Sequence, residues 1–348
     1  MEKISTDKAM YYEVPKTPLP KILHDFLILK RKALDFAVKE GYFVIPTASG
    51  KSSMHLILEW LRFKGILTSR MDEIMVPPWM GAWVYKTMHS HGFPQMVLTP
   101  QTKVLWVYHQ YGFPQDMDAI QKVARERNLI VIEDCAHAIN SYYQDARLGT
   151  IGDFGIFSFS KFVPSLMGGA IVTKDENARD FFLSRIEKKR PLYSLFCFWS
   201  KYFDDVTHYA PLAQELLKTS YALYSYHMSM TRTVQNLVAS SLESLNKRKE
   251  NYATVKRILK GNLWIDSLET DILPYVVPIA GTPEELSHIV NVIKGTGLYS
   301  GLYHFDENRN LLEPRLISVA WLPIHQGIPT KIIEEVSTKI KEVLRPNS

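Results

Sequence analysis

The sequence predicts an α/β fold with a mostly parallel central sheet, and three observations lead to it. Between Gly41 and about Thr173, short runs of β-branched and aliphatic residues alternate with turns and amphipathic stretches, as in repeated strand–helix units. Residues 129–132 (Leu-Ile-Val-Ile) are continuously apolar, which is typical of a parallel strand covered on both faces. The chain has 348 residues, enough for roughly two domains, and its pattern changes after Thr173.

Turn-forming residues mark where each strand of the first unit ends. Residues 47–50 (Thr-Ala-Ser-Gly) follow the first apolar run, Pro77-Pro78 follow the second, and the loop 109–115 follows the third. The predicted strands are 43–45, 73–76, 104–108, 129–132, 154–159 and 170–173. The predicted helices are 54–60, a stretch after Pro78 that ends near residue 91, and 116–127.

The second half of the chain has a different character. Residues 175–225 are rich in aromatic side chains and are predicted to be mostly helix or loop. Apolar residues spaced through 231–259 predict one long helix that links two lobes. A smaller α+β unit follows, with predicted strands at 273–279 and 316–321 and predicted helices at 283–294 and 328–344. The predicted domains are a large domain over 1–230 with an N-terminal arm over 1–40, a linking helix over 231–262, and a small C-terminal domain over 263–348.

Composition and charge exclude several classes of protein. Hydrophobic residues make up 46% and charged residues 22%, so the chain is neither mainly disordered nor a fibrous repeat. The net charge of +5 is mild and no long basic run occurs, which argues against nucleic-acid binding. No run of about 18 apolar residues occurs, so we expect no membrane span. Cys135 and Cys197 cannot form a disulfide framework, lack metal-ligand spacing and fit a reducing, cytoplasmic location.

Asp134 and Lys161 are the strongest candidates for chemistry. Asp134 stands at the carboxyl end of the central predicted strand, where open α/β sheets bind ligands, although an aspartate there can also cap a helix. Lys161 follows another apolar strand in a segment poor in charge, so its amine would be partly desolvated and able to form a Schiff base. A Schiff-base lysine and an acid that keeps a pyridine nitrogen protonated are what pyridoxal phosphate (PLP) requires. His137 fits either a packed side chain or a cofactor contact.

A candidate phosphate-binding turn opens the first predicted helix at Ser49-Gly50-Lys51-Ser52-Ser53. Backbone N–H groups at a helix N-terminus, together with neighbouring hydroxyls, favour a phosphate there. Such caps are also common in helices that bind nothing, and the turn lacks the first glycine of a Walker motif. The turn therefore supports a phosphate site only together with the rest of the pattern.

Short motifs follow one another along most of the chain. They are Ser49 to Leu56, Tyr108-His109-Gln110-Tyr111-Gly112 with Asp116-Met117-Asp118 after it, Val131 to Ala138, Gly149 to Phe159, Gly168 to Thr173, and Trp321 to His325. In this order they resemble the SGTAALHL segment, the VHLYG loop, the VIEDAAQA strand, the two stretches flanking the Schiff-base lysine, and the SLPLHP segment of the DegT/DnrJ/EryC1/StrS sugar aminotransferases. The resemblance implies the aspartate aminotransferase fold (fold type I), a three-layer PLP-binding α/β domain with a smaller α+β C-terminal domain.

The resemblance also implies roles for individual residues. Lys161 would carry the cofactor and Asp134 would pair with its protonated pyridine nitrogen, so both would be catalytic. His137 would lie beside the phenolic oxygen of the cofactor. Trp79, or Trp83 if the alignment slips, would stack on the cofactor ring, and core packing is the alternative for both. The phosphate would be held by Gly50, Lys51, Ser52 and Ser158, and no metal is expected.

The sequence departs from the family pattern at several positions. The segment that carries Lys161 is slightly shorter than in the commonest members, yet Lys161 remains its only lysine. Met167 replaces a usual acidic residue, and Lys51 replaces a usual threonine. The asparagine that reaches the phosphate of the partner subunit has no clear counterpart, and the nearest positions are His227 and Ser229.

The resemblance implies a homodimeric PLP-dependent transaminase with its active sites at the dimer interface. It would transfer an amino group from glutamate to a keto group of a nucleotide-linked sugar, in the biosynthesis of cell-surface polysaccharides or secondary metabolites. One alternative is a PLP enzyme with another reaction, although the dehydratase branch would carry histidine in place of Lys161. The other is a non-catalytic scaffold, suggested by Met167 and the aromatic segment 193–202.

Overall fold

The computed structural model describes residues 18–27, 30, 32, 34, 40–187, 229–261, 266 and 271–344. The helices in these ranges are α1 (Leu19–Leu27), α2 (Gly50–Phe63), α3 (Ala82–His89), α4 (Met117–Arg127), α5 (Glu176–Glu187), α6 (Arg232–Ser241), α7 (Leu245–Ile258), α8 (Pro283–Gly295) and α9 (Thr330–Val343). The strands are β1 (Phe43–Thr47), β2 (Glu73–Met75), β3 (Phe93–Gln95), β4 (Thr102–Tyr108), β5 (Ile130–Cys135), β6 (Tyr142–Tyr143), β7 (Ala146–Arg147), β8 (Phe154–Ser158), β9 (Gly169–Thr173), β10 (Val276–Ala280), β11 (Leu302–Asp306) and β12 (Leu316–Pro323). His227 and the aromatic segment 193–202 lie outside the described residues. Among the described helices, none combines the length and apolar character needed to cross a membrane.

The central sheet has seven strands in the order β1-β9-β8-β5-β4-β2-β3. Strands β8, β5, β4, β2 and β3 are parallel, and β9 runs antiparallel to both of its neighbours. The prediction of a mostly parallel sheet is therefore confirmed, with the continuously apolar strand β5 in its middle. Strand β3 and the β6–β7 hairpin were not predicted, because runs of two or three residues are too short to show alternation.

Both faces of the central sheet are covered, because successive residues of a strand point to opposite sides. Ile132 and Trp106 pack in a core that includes side chains of α2, α3 and α5. Val131 and Leu105, each next to one of these residues, pack instead against the apolar side of α4. The layers are therefore helix, sheet and helix, as predicted.

The predicted linking helix over 231–262 is two helices, α6 and α7, separated by a 3-10 turn over Leu242–Ser244. The hydroxyl of Ser240 donates to the carbonyl of Asn236, and that of Ser244 donates to the carbonyl of Ser241. Serine hydroxyls that bond to helix carbonyls in this way favour a bend. The sequence pattern identified the helical residues, and the serines account for the break between them.

The C-terminal unit is a three-stranded antiparallel sheet, in the order β10-β12-β11, that packs against α8, while α9 packs on both α8 and α7. Strand β11 was not predicted, because its exposed residues come first and its buried residues last rather than alternating. The hydrophobic core continues between the two units: Val172, Leu237 and Ile289 belong to one cluster. The domain boundaries drawn from the sequence stay predictions.

Gln110 fixes the two units to each other. Its side-chain Nε2 donates to the carbonyl of His304 at 2.7 Å, and its Oε1 accepts from the N–H of Asp306 at 3.1 Å. The N–H of Tyr275 donates to the carbonyl of Tyr111 at 2.7 Å in the same region. The loop after β4 therefore holds both β11 and the residue before β10, and a cleft lies between the units.

Candidate active site

The cleft has a volume of about 930 Å³ and lies at the carboxyl edge of the central sheet. Open α/β sheets bind ligands at this edge. Seven of the eight predicted site residues line the cleft: Gly50, Lys51, Trp79, Asp134, His137, Ser158 and Lys161. The eighth, Ser52, is buried behind the turn, where its hydroxyl lies 3.2 Å from that of Ser49. Its predicted contact with a phosphate oxygen is untested.

Asp134 is a buried carboxylate with two hydrogen-bond donors. The indole Nε1–H of Trp106 donates to Oδ2 at 3.2 Å, and the N–H of Ala136 donates to Oδ1 at 3.0 Å. Burial raises the pKa of Asp134, while these donors and the nearby charge of Lys161 oppose the rise. Strand β5 is followed by a turn and β6, so the helix-capping alternative is wrong and the carboxylate closes that turn.

Lys161 ends a 3-10 turn, Phe159–Lys161, directly after β8. The turn is held by the N–H of Phe159, which donates to the carbonyl of Gly168 at 2.9 Å. The Lys161 ammonium nitrogen lies 6.0 Å from the centre of the Tyr275 ring. Lys161 forms no ion pair with any residue that the structure describes. Its amine therefore borders the cleft with no carboxylate of the described residues within ion-pair distance.

The N-terminus of α2 and the end of β8 meet at the candidate phosphate site. Ser49 caps α2 by accepting from the N–H of Ser52 at 3.2 Å. A Cβ atom on Gly50 would lie 3.3 Å from the Cβ of Ser158, and one on Gly169 would lie 2.4 Å from the carbonyl carbon of Ser49. The approach at Gly169 requires glycine and the one at Gly50 leaves little room for a side chain, and together they bring the Ser158 hydroxyl beside the positive end of α2.

His137 is held by neighbours on two sides. The hydroxyl of Tyr108 lies 2.7 Å from Nδ1, and the ring of Tyr275 stacks on the imidazole with centroids 4.2 Å apart and planes 12° apart. Burial and the charges of Lys161 and Arg248 hold the pKa of His137 well below the ordinary value of 6.5. His137 is therefore a neutral, oriented group at the cleft wall.

The sequence analysis missed Tyr108 and Tyr275. The sequence did contain a signal for Tyr108: this residue ends the predicted strand 104–108 and so lies at the edge of the sheet where ligands bind. Tyr275 had none, because it comes from the C-terminal unit and reaches His137 only through the packing of the two units.

A buried arginine beneath the cleft was also missed. Arg248 of α7 is fully buried, with its guanidinium 4.6 Å from the Phe162 ring centre and 5.7 Å from that of Tyr275. Its Nε donates to Gln326 at 3.3 Å, while Nη1 has no hydrogen-bond partner among the described residues. Burial lowers the pKa of Arg248 to about 10, so it remains a cation at neutral pH.

Trp79 lies at the mouth of the cleft and is 41% exposed, so the core-packing alternative is wrong for this residue. Its indole stacks on the imidazole of His304, with centroids 4.3 Å apart and planes 25° apart. Stacking of Trp79 on a cofactor ring stays a prediction. The side chain of Trp83, its competitor, lies outside the described part of the chain.

Glu133 organises the loop beneath Asp134. Its buried carboxylate accepts from the N–H groups of Gly149, Ile151 and Gly152 at 2.6–2.8 Å, and lies 3.1 Å from His109 Nε2. His109 Nδ1 accepts from a backbone N–H, so Nε2 carries the proton that is donated to Glu133. Glu133 and His109 lie close enough to Cys135 for a metal site, but their ligand atoms are already used by protein donors and acceptors.

A family model of DegT/DnrJ/EryC1/StrS aminotransferases matches residues 95–261. Asp134, His137, Ser158 and Lys161 all lie within the match. Over this segment, just under half of the chain, the sequence is similar to the DegT/DnrJ/EryC1/StrS aminotransferase family. The resemblance stated from the motifs is thereby confirmed.

Curated relatives match the chain over parts of their length. GDP-perosamine synthase of Escherichia coli O157:H7 is 44% identical over 85 residues, which cover 24% of this chain and 23% of that enzyme. L-glutamine:2-deoxy-scyllo-inosose aminotransferase of Streptomyces lividus is 32% identical over 182 residues, which cover 46% of this chain and 41% of that enzyme. The chain thus spans less than half the length of these curated relatives.

The fold matches over nearly the whole chain. The solved structure of Helicobacter pylori PseC, an aminotransferase involved in the biosynthesis of pseudoaminic acid, superposes with a TM-score of 0.64 over 96% of this chain and 99% of that one. The two sequences are 14% identical. The likeness concerns the fold, and it confirms the prediction of fold type I.

The residues of the cleft fit PLP, the cofactor that the family implies. Asp134 supplies a buried carboxylate and Lys161 an amine without an ion-pair partner in the described residues. The space beside Ser158, which a side chain on Gly50 would fill, lies at a helix N-terminus suited to a phosphate. One cleft thus holds a partner for the pyridine nitrogen of PLP, one for its aldehyde carbonyl and one for its phosphate.

Proposed function

We propose that this protein is a PLP-dependent aminotransferase that moves an amino group from glutamate to a keto group of a nucleotide-linked sugar. The observation that carries the proposal is the meeting of Asp134, Lys161 and the α2 N-terminus in one cleft. The names of its relatives support a sugar or a similar ring ketone as the acceptor. Cell-surface polysaccharide or secondary-metabolite biosynthesis would use such a reaction.

Each cleft residue has a defined task in this proposal. PLP, when bound, supplies an electron sink for the negative charge that develops on a substrate carbon. The Asp134 carboxylate holds the proton on the pyridine nitrogen, and its two donors help to keep it ionised. Lys161 would hold the cofactor until the amine of the donor displaces it, and its freed Nζ would then carry a proton between the donor carbon and the cofactor carbon that Lys161 had held. Ser158 and the α2 N-terminus bind the phosphate.

The oligomeric state and location are part of the same proposal. In a homodimer with shared active sites, a residue of the partner subunit would complete the phosphate site, as the family pattern implies. Light scattering of the purified protein tests the dimer: a mass near twice 40.1 kDa is expected, and a monomer that retains full activity would contradict it. A cytoplasmic location is proposed from the reducing environment that two cysteines suggest.

The test of the activity separates the cofactor from the reaction. The purified protein is expected to absorb in the visible region with PLP, and this band is expected to vanish in Lys161→Ala but not in Lys174→Ala, which alters an exposed lysine near Tyr42. Addition of glutamate, or of glutamine, is expected to convert the cofactor to its aminated form. A protein that binds PLP but is not aminated by either donor would favour the dehydration alternative, and one that never binds PLP would favour the scaffold.

A further inference from the structure

A short hydrogen bond joins two aromatic side chains in the wall of the cleft. The hydroxyl of Tyr108 lies 2.7 Å from Nδ1 of His137, and both residues line the cleft. Tyr108 is the last residue of β4 and pairs in register with Asp134 on β5. The hydrogen bond therefore lies next to the carboxylate that carries the proposed chemistry.

The His137 ring has little freedom to rotate. Tyr275 stacks on it with centroids 4.2 Å apart, and Tyr111 lies parallel to it at 5.9 Å, with planes 14° apart. Tyr275 and Tyr111 are themselves joined by a backbone hydrogen bond. With the ring held in place, the remaining variable is which of its two nitrogens carries a proton.

The charges around His137 favour its neutral form. Lys161 and Arg248 are the nearby cations, and both disfavour a second positive charge, as does burial. The other titratable groups in contact with the ring are the hydroxyls of Tyr108, Tyr111 and Tyr275, which are neutral at physiological pH. A neutral imidazole has one donor nitrogen and one acceptor nitrogen.

The bond to Tyr108 selects between the two neutral forms. A phenol is a good donor and an unprotonated imidazole nitrogen is a good acceptor, so the favoured arrangement has the Tyr108 O–H donating to Nδ1. The proton of the ring then resides on Nε2. This nitrogen has no hydrogen-bond partner within the described ranges of the chain.

We propose that Tyr108 is a positioning residue that keeps the proton of neutral His137 on Nε2, so that the cleft receives an N–H donor for an oxygen of the bound ligand. The state of the ring follows from this chain alone. The identification of the acceptor as the phenolic oxygen of PLP rests on the proposed function. Tyr108 thus acts on the ligand through His137 and does not itself react.

The test measures the protonation of each ring nitrogen in the full chain. Protein labelled with ¹⁵N in histidine is examined by long-range ¹H–¹⁵N correlation spectroscopy, and the signals of His137 are those lost in His137→Gln. Wild-type protein is expected to show an unprotonated Nδ1 and a protonated Nε2. In Tyr108→Phe this preference is expected to weaken, with exchange between the two neutral forms.

A matched control removes another tyrosine hydroxyl. Tyr42→Phe breaks a 2.6 Å hydrogen bond to the carbonyl of Thr150, outside the cleft, and is expected to leave the His137 signals unchanged. A wild-type ring with its proton on Nδ1 would overturn the proposal, and so would a Tyr108→Phe spectrum identical to that of the wild type.

Cofactor affinity gives a second, separable readout. Tyr108→Phe is expected to weaken PLP binding by about 2- to 10-fold, the range for one neutral hydrogen bond, and Tyr42→Phe to leave it unchanged. Equal PLP affinity of Tyr108→Phe and wild type would contradict the assigned acceptor. If the wild-type chain bound no PLP, the proposed function would be wrong. The spectra would still decide independently which nitrogen of His137 carries the proton.

Discussion

The indole of Trp106 donates a 3.2 Å hydrogen bond to the carboxylate of Asp134. The two residues lie on the neighbouring parallel strands β4 and β5, so the sheet itself places a donor against the buried charge. The indole cannot accept a proton in return, because its nitrogen is a donor only. Trp106 therefore favours the ionised form of Asp134.

Trp106→Phe removes this donor. Burial raises the pKa of Asp134 and the Trp106 hydrogen bond lowers it, so the substitution is expected to raise the pKa further. The acid limb of the kcat/KM profile for amino transfer is then expected to move to higher pH, since an ionised Asp134 is required. PLP affinity is expected to fall by about tenfold. Trp60→Phe, at a buried tryptophan of α2 outside the cleft, is the control for lost packing. A pH profile of Trp106→Phe that matches that of Trp60→Phe would contradict this role.

Gly169→Ala is expected to damage the phosphate site through the backbone. Its Cβ would lie 2.4 Å from the carbonyl carbon of Ser49, so the turn that begins α2 would have to move. We expect a loss of about 2–3 kcal/mol in the free energy of unfolding and much weaker PLP binding. Gly295→Ala, at the end of α8 with nothing within 4 Å of the added carbon, is the matched control and is expected to be neutral or slightly stabilising. Urea unfolding measures the free energy of unfolding of both variants. Equal values would contradict the close approach of Gly169 to Ser49.

His137 is expected to make stability depend on pH in the acid range. Its folded pKa lies well below 6.5, so between the two values the unfolded chain binds more protons than the folded one. The stabilising contribution of neutral His137 is complete above pH 6.5 and is lost as the pH falls towards the folded pKa, by up to about 1.4 kcal/mol per pH unit. His137→Gln should lack this part of the decline. Urea unfolding at several pH values measures it, and parallel curves for the two proteins would show that His137 titrates normally.

Glu133→Gln is expected to destabilise the loop beneath the cleft. The carboxylate accepts three backbone N–H groups and the His109 ring, and an amide would turn a donor towards one of them. The expected loss is about 2–4 kcal/mol in the free energy of unfolding. Glu313→Gln, at an exposed position, is expected to leave the unfolding midpoint unchanged. If both variants unfolded together with the wild type, Glu133 would not organise the loop.

The residues at the carboxyl ends of β5 and β8 could be placed from the sequence, because parallel strands bring their ends to one edge and the motifs mark those ends. Asp134 and Lys161 illustrate this. Tyr275, which lines the cleft, and Arg248, which packs beside Tyr275, could not be placed, because both belong to segments without motifs and their positions depend on how the C-terminal unit packs. The hydrophobic spacing could not predict the break between α6 and α7 for another reason. Such spacing indicates which face of a helix is buried, and it carries no information on the hydrogen bonds of serine hydroxyls.

Trapping the cofactor on its lysine is the most direct test of the proposed aminotransferase site. The full chain is loaded with PLP, reduced with borohydride, digested and analysed by mass spectrometry. We expect the reduced cofactor on Lys161, and we expect no such label in Lys161→Ala while Lys174→Ala is labelled like the wild type. A label on another lysine of the cleft, such as Lys51, or no label at all on the wild-type chain, would contradict the assignment.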